Sequence, residues 1–163
     1  MPKDFKIYLT ENISDELIEK TFERLHQVFT IRFRIVGIRI PPTHAWKQEF
    51  QGFDARVLLD SVLRDGFTFF IWMVEYPIYI EDTKVFGYAE PLKGGIASIH
   101  ELTYPTLITK VVAHYVGRIL GLVPCQNDCL MKEPQDLHTL IQQSNNLCPS
   151  CSARFRRLQV RFQ

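Results

Sequence analysis

The chain has 163 residues, 46% of them hydrophobic, and a chain of this length can bury roughly two-thirds of its unfolded surface, so one compact domain with a substantial core is expected. Lys and Arg (19) against Asp and Glu (18) leave a formal charge of +1, which excludes a global field that would draw the protein to nucleic acid or to a membrane surface. The longest apolar run after Phe67, FFIWMV, falls far short of the roughly 20 residues of a membrane-crossing helix, and MPKDFKIYLTE carries charges where an export leader needs its apolar core, so a cytoplasmic protein is expected.

FKIYLT alternates apolar and polar positions and predicts a strand. NISDELIEKTFERLHQVF then changes to helical spacing, with Leu17, Ile18, Phe22, Leu25 and Phe29 as one stripe. Ser14 is placed to cap this helix, because its hydroxyl can accept a free backbone N–H, and Asp15 and Glu16 suit the positive end of the dipole. TIRFRIVGIRI alternates again, with Ile31, Phe33 and Ile35 on one face and Arg32 and Arg34 on the other, until Pro41 and Pro42 end it. Such a β-α-β start favours a parallel pairing. FDARVLLDSVLRD predicts a second amphipathic helix, and FTFFIWMVEY, apolar almost throughout, a strand covered on both faces. KVFGYAE and GGIASIHEL predict two further strands, with Gly94 and Gly95 in the turn. The expected fold class is α/β, a twisted mixed sheet carrying helices.

From Pro105 the spacing is helical once more. Ile108, Val111, Val112, Tyr115 and Ile119 form the expected buried stripe, while Lys110, His114 and Arg118, at i, i+4 and i+8, stack along a neighbouring face. Gly121 is expected to end the helix in a left-handed turn. All four cysteines lie in the last quarter, as CxxxC (Cys125, Cys129) and, after eighteen intervening residues, CPSC (Cys148, Cys151). Two close pairs brought together offer four sulfurs to a tetrahedral zinc, which holds thiolates ionised near neutral pH. With every ligand position filled by protein, the one ion would be structural and would staple a C-terminal segment poor in apolar residues. Buried free cysteines are the plainer alternative.

The helix, Gly121, Cys125, Cys129, Met131 and the distant CPSC together resemble the archaemetzincins, a family of zinc-dependent metallopeptidases in the metzincin clan. Their pattern runs HExxHxxGxxHC, a second cysteine, a methionine two residues on, and a CxxC. The run from His114 to Cys151 fits that frame with the first cysteine loop one residue short. FQGFDARVLLDSVL and KVFGYAEPLKGGIASIHEL are similar to upstream family segments, so the resemblance covers most of the chain. It implies a metzincin-like domain over 1–163, with an upper βα part (1–104) and a part holding the former active-site helix and the zinc staple (105–163).

The catalytic positions are filled differently. His114 stands at the first histidine, but Tyr115 replaces the glutamate base, Arg118 the second histidine and Pro124 the third. A catalytic zinc needs about three protein ligands to lower the pKa of its water. One imidazole, a permanently charged guanidinium and a proline do not supply them, and a phenol with a pKa near 10 is a poor base at neutral pH. Met131 then reads as core filler rather than as the floor of a metal site. The resemblance implies that His100 sits on the strand bordering the cleft; His26, His44 and His138 stand in separate elements with no partner at ligand spacing.

Three functions follow. In the first, a catalytically degenerate family member keeps the structural zinc and uses its cleft to hold a peptide or protein, with Lys110, His114, Arg118 and His100 as candidate ligand-binding residues; a solvated helix face is the plainer account of the first three. In the second, Arg154, Arg156, Arg157 and Arg161, interleaved with Phe155 and Phe162, contact nucleic acid; the alternative is an end segment packing its apolar side chains on the domain. The third is an active peptidase with unusual ligation and two metals per chain.

Overall fold

Phe5, Ile7 and Leu9 alternate with Lys6 and Tyr8 to form β1 (Phe5–Leu9), the first element of a computed structural model that describes residues 3–162. The helix α1 (Asp15–Val28) follows, capped as its sequence implies: the Ser14 hydroxyl accepts from Leu17 N–H at 3.2 Å. The chain returns along β2 (Phe33–Ile38), parallel to β1. Two short strands, β3 (Trp46–Lys47) and β4 (Gly52–Asp54), lead into α2 (Ala55–Arg64), whose cap is the Asp54 carboxylate accepting from Arg56 and Val57. Next come β5 (Phe70–Val74), β6 (Ile78–Ile80), β7 (Thr83–Val85), β8 (Gly87–Glu90) and β9 (Gly94–Ser98). Three helices complete the chain: α3 (Pro105–Ile119), α4 (Leu137–Gln142) and α5 (Pro149–Leu158).

The main sheet has the order β2-β1-β5-β9-β8, parallel except for β8, which pairs antiparallel with β9 at the edge. The apolar run of β5 lies in its middle and is buried on both faces. Phe70, Trp72 and Val74 pack with Leu58, Leu59 and Val62 of α2, while Ile71 and Met73 pack with the side formed by α1 and α3. Each such buried large side chain contributes about 1.5–3 kcal/mol.

Three expectations are corrected. Ile35 does not share the buried face of Ile31 and Phe33; it is 41% exposed. β2 is an edge strand, and its register against β1 shifts so that Ile7 faces Ile35 but Tyr8 faces Gly37, leaving Val36 as an extra residue that breaks the alternation. Gly94 and Gly95 are not in the turn but in β9; the turn is Pro91–Lys93, with Leu92 at φ 65°. Their lack of a side chain serves close packing, since a Cβ on Gly94 would stand 2.6 Å from Phe70 Cζ and one on Gly95 2.9 Å from Ile119 Cδ1. Finally, the single strand expected over KVFGYAE divides at Phe86. β7 joins a second sheet, β3-β4-β6-β7, while β8 joins the main one.

The carboxyl end packs as an apolar end segment. Phe155 meets Phe29 edge-on at 5.2 Å and Phe162 stacks on Phe69 at 4.9 Å, both buried, while Arg156, Arg157 and Arg161 stay exposed. Among the described residues no helix is long and apolar enough to cross a membrane.

Candidate metal centre and the helix beside it

Pro124 ends the turn after α3, and the loop that follows closes on itself: Cys125 N–H donates to Met131 C=O at 2.9 Å. This brings Cys125 and Cys129 to one side of the loop. The second pair comes from a helix start, because Cys148 is the N-cap of α5, with Pro149 in its first turn, and its sulfur accepts from Cys151 N–H at 3.5 Å. Cys129 Sγ in turn accepts from Met131 N–H at 3.4 Å and Cys148 N–H at 3.2 Å.

All four sulfurs lie within 4.8 Å of one another, and Cys125 Sγ and Cys148 Sγ are 3.8 Å apart. Tetrahedral Zn–S bonds of about 2.3 Å place sulfurs about 3.8 Å apart; a disulfide needs about 2.05 Å. The thiols are free, and the cluster is close enough to bind a metal. The Cys151 N–H draws the Cys148 thiol down to about 6, whereas burial pushes Cys129 and Cys151 up. Among the described residues it is the one group of three or more His, Cys, Asp or Glu side chains with ligand atoms converging in this way.

α3 lies against the main sheet on one side and α1 and α4 on the other, so it is buried nearly all round. The row at Lys110, His114 and Arg118 is therefore not a solvated face. Lys110 is buried, and its ammonium donates to Leu140 C=O (2.8 Å), Gln143 C=O (2.7 Å) and Ile141 C=O (3.3 Å), the open carbonyls at the end of α4. It ties two helices together. Burial lowers its pKa.

His114 is 0% exposed. Its Nδ1–H donates to Leu130 C=O at 2.8 Å, which fixes the ring and leaves Nε2 facing the loop beyond Met131. There Nε2 stands 3.3 Å from Glu133 Oε2 without forming a hydrogen bond of good geometry, and Arg118 Nη1 is 3.6 Å from the same oxygen. The His114 ring, helped by the Arg118 charge, holds the Glu133 carboxyl below the usual carboxylate range although burial opposes this. Glu133 lies in an irregular loop, where no periodicity marks it, and its place two residues after Met131 is its one sequence signal.

Tyr115 is buried with its ring against β8: a Cβ on Gly87 would stand 2.5 Å from Tyr115 Cδ2. Burial, and then the Glu133 charge, push its phenol well above the ordinary value, away from any role as a base at neutral pH. Met131 is fully buried, its sulfur under Gly117 of α3. Pro124 lines a groove of about 220 Å³ with Gln126, Glu133 and Gln135.

His100 is not on a strand. β9 stops at Ser98, whose hydroxyl donates to Tyr76 C=O (2.7 Å) and accepts from His100 N–H (3.3 Å), turning the chain. The His100 ring lies beside Glu101 at 3.4 Å and lines a separate groove, also about 220 Å³, with Lys84, Asp136 and Leu137.

Residues 100–157, which contain α3 and all four cysteines, match the family model Peptidase family M54. An archaemetzincin of Nanoarchaeum equitans is 30% identical over 133 residues, covering 79% of this chain and 76% of the relative. The chain belongs to the archaemetzincin family. Solved archaemetzincins share its fold: that of Methanopyrus kandleri has a TM-score of 0.86 at 18% identity, covering 98% of this chain and 96% of its own. That of Archaeoglobus fulgidus, complexed with malonate, has a TM-score of 0.83 at 17% identity over 93% of this chain and 99% of its own. The protein is thus zinc-metallopeptidase-like in family and fold, and α3 lies within the residues that match the family model.

Proposed function

We propose that this protein is a non-catalytic archaemetzincin, in which one structural zinc held by Cys125, Cys129, Cys148 and Cys151 stabilises the carboxyl end and the former cleft binds a peptide or protein segment. The observation that carries this reading is the filling of the motif positions on α3. Tyr115 stands as a phenol wedged against Gly87 where the base belongs, Arg118 brings a fixed positive charge, and Pro124 brings no donor.

A catalytic zinc does not fit these residues. His114 Nε2 is the one imidazole nitrogen directed at the place, and beside it lies the Glu133 carboxylate, itself paired with Arg118. A guanidinium stays protonated and repels a divalent cation. The four-cysteine cluster does fit zinc, on sulfur spacing and donor type. There the ion would supply cross-linking, with no position left for water. Free thiols suit a reducing compartment such as the cytoplasm.

Peptide binding is supported by β8, the antiparallel edge of the main sheet, whose outer backbone groups can pair with an extended chain without any metal. The nucleic-acid alternative loses its stacking partners, since Phe155 and Phe162 are buried. Mass spectrometry of the native, zinc-replete protein tests the reading: one zinc per chain and no cleavage of unstructured peptides are expected. Two zinc ions per chain would overturn it in favour of an active peptidase with unusual ligation.

A further inference from the structure

We infer that Glu133 is a built-in occupant of a carboxylate-binding site formed by His114 and Arg118, and that the carboxylate of a ligand displaces it. His114 Nε2 and Arg118 Nη1 converge on one oxygen, at 3.3 and 3.6 Å. A charge-assisted bond of this kind closes to about 2.7–2.9 Å. Glu133 therefore fills the site slackly, held back by its own backbone, and Nε2 is left fully buried without a hydrogen-bond partner. A carboxylate free of that tether can close on the Arg118 guanidinium, and on Nε2 when the His114 ring is the imidazolium.

The occupant is also able to leave. The Glu133 side chain is 48% exposed, whereas His114 and Arg118 are carried on a buried helix, and the Leu130 carbonyl holds the imidazole in orientation. When Glu133 swings out, the space it vacates is the size of a carboxylate and keeps the Arg118 guanidinium as a donor aimed into it, joined by His114 Nε2 in the imidazolium form, since Nδ1–H is already given to Leu130 C=O. The groove of about 220 Å³ lined by Pro124, Gln126 and Gln135 borders Glu133 and offers the rest of the ligand polar contacts. The ligand chemistry is a carboxylate, from the C terminus of a peptide or from an Asp or Glu side chain. Only the choice of a peptide as its carrier rests on the function proposed above.

The test uses the zinc-loaded 163-residue chain and three probes: N-acetyl-triglycine as the free acid, its C-terminal amide, and an amidated peptide with one internal Asp. Binding is read by titration and by the NMR signals of the His114 ring, with circular dichroism checking the fold of each variant. If the open form is about one-tenth populated, Glu133→Ala binds a carboxylate about tenfold more tightly than wild type. Glu133→Gln, which keeps the side-chain size, shows a smaller gain. Adding Arg118→Gln abolishes the gain. The free-acid and Asp probes separate a terminal from a side-chain carboxylate. Equal binding of acid and amide, or a gain that survives Arg118→Gln, would overturn the inference while leaving peptide binding in the cleft intact. Should no peptide bind, acetate alone shifting the His114 ring of Glu133→Ala, dependent on Arg118, would uphold the carboxylate site and remove the peptide reading.

Discussion

Replacing Lys110 with Met keeps the length and apolar bulk of the side chain but removes the ammonium from three carbonyls at the end of α4. Two of the three bonds, at 2.7 and 2.8 Å, are of full strength, and hydrogen bonds to a charged donor are each worth about 1.5–3 kcal/mol. Part of this is offset because a buried ammonium no longer has to be desolvated. A net loss of about 3 kcal/mol is expected, which for a chain of this length lowers Tm by roughly 9 °C. Thermal and urea unfolding of the zinc-loaded protein measure it, with Lys20→Met as the control. Lys20 makes an exposed i,i+4 pair with Glu16, so that substitution should change stability by no more than about 0.5 kcal/mol. A Lys110→Met protein with Tm within about 2 °C of wild type would refute the structural role of Lys110 and return it to the candidate ligand contacts.

Removing zinc with a strong chelator, or Cys148→Ser, should release the carboxyl end, seen as lost helical circular dichroism and faster amide exchange in α5; an unchanged Tm after metal removal would exclude a structural zinc. Glu133 has a lowered pKa in the folded state, so its stabilisation is present above the ordinary carboxylate value of about 4.3 and is lost as pH falls through the lower folded value. Glu133→Gln should therefore flatten the fall of Tm below about pH 5, and parallel wild-type and variant curves would count against the His114–Glu133–Arg118 arrangement. The triple substitution Tyr115→Glu, Arg118→His and Pro124→His should add a second zinc by mass spectrometry; a protein that folds yet holds one ion would put the matching of α3 to the family motif in error.

The amino-acid sequence by itself determined what depends on local periodicity and on residue type. The alternation in β1, the continuous apolar run of β5, the Ser14 cap and the helical stripe of α3 were legible because each element must bury a face of its own. The pairing of CxxxC with CPSC was legible because ligand spacing survives without knowledge of the fold. Only the tertiary structure decided the rest. The exposure of Ile35 was not legible, because edge position and a bulge depend on neighbours that lie elsewhere in the chain. Lys110 could not be known as a tie between α3 and α4, since its partners are backbone carbonyls some thirty residues away. Glu133 carries no pattern at all: a carboxylate in an irregular loop became the partner of His114 and Arg118 only when folding brought that loop over the helix. Periodicity reports which side of an element is buried, but not what comes to cover it.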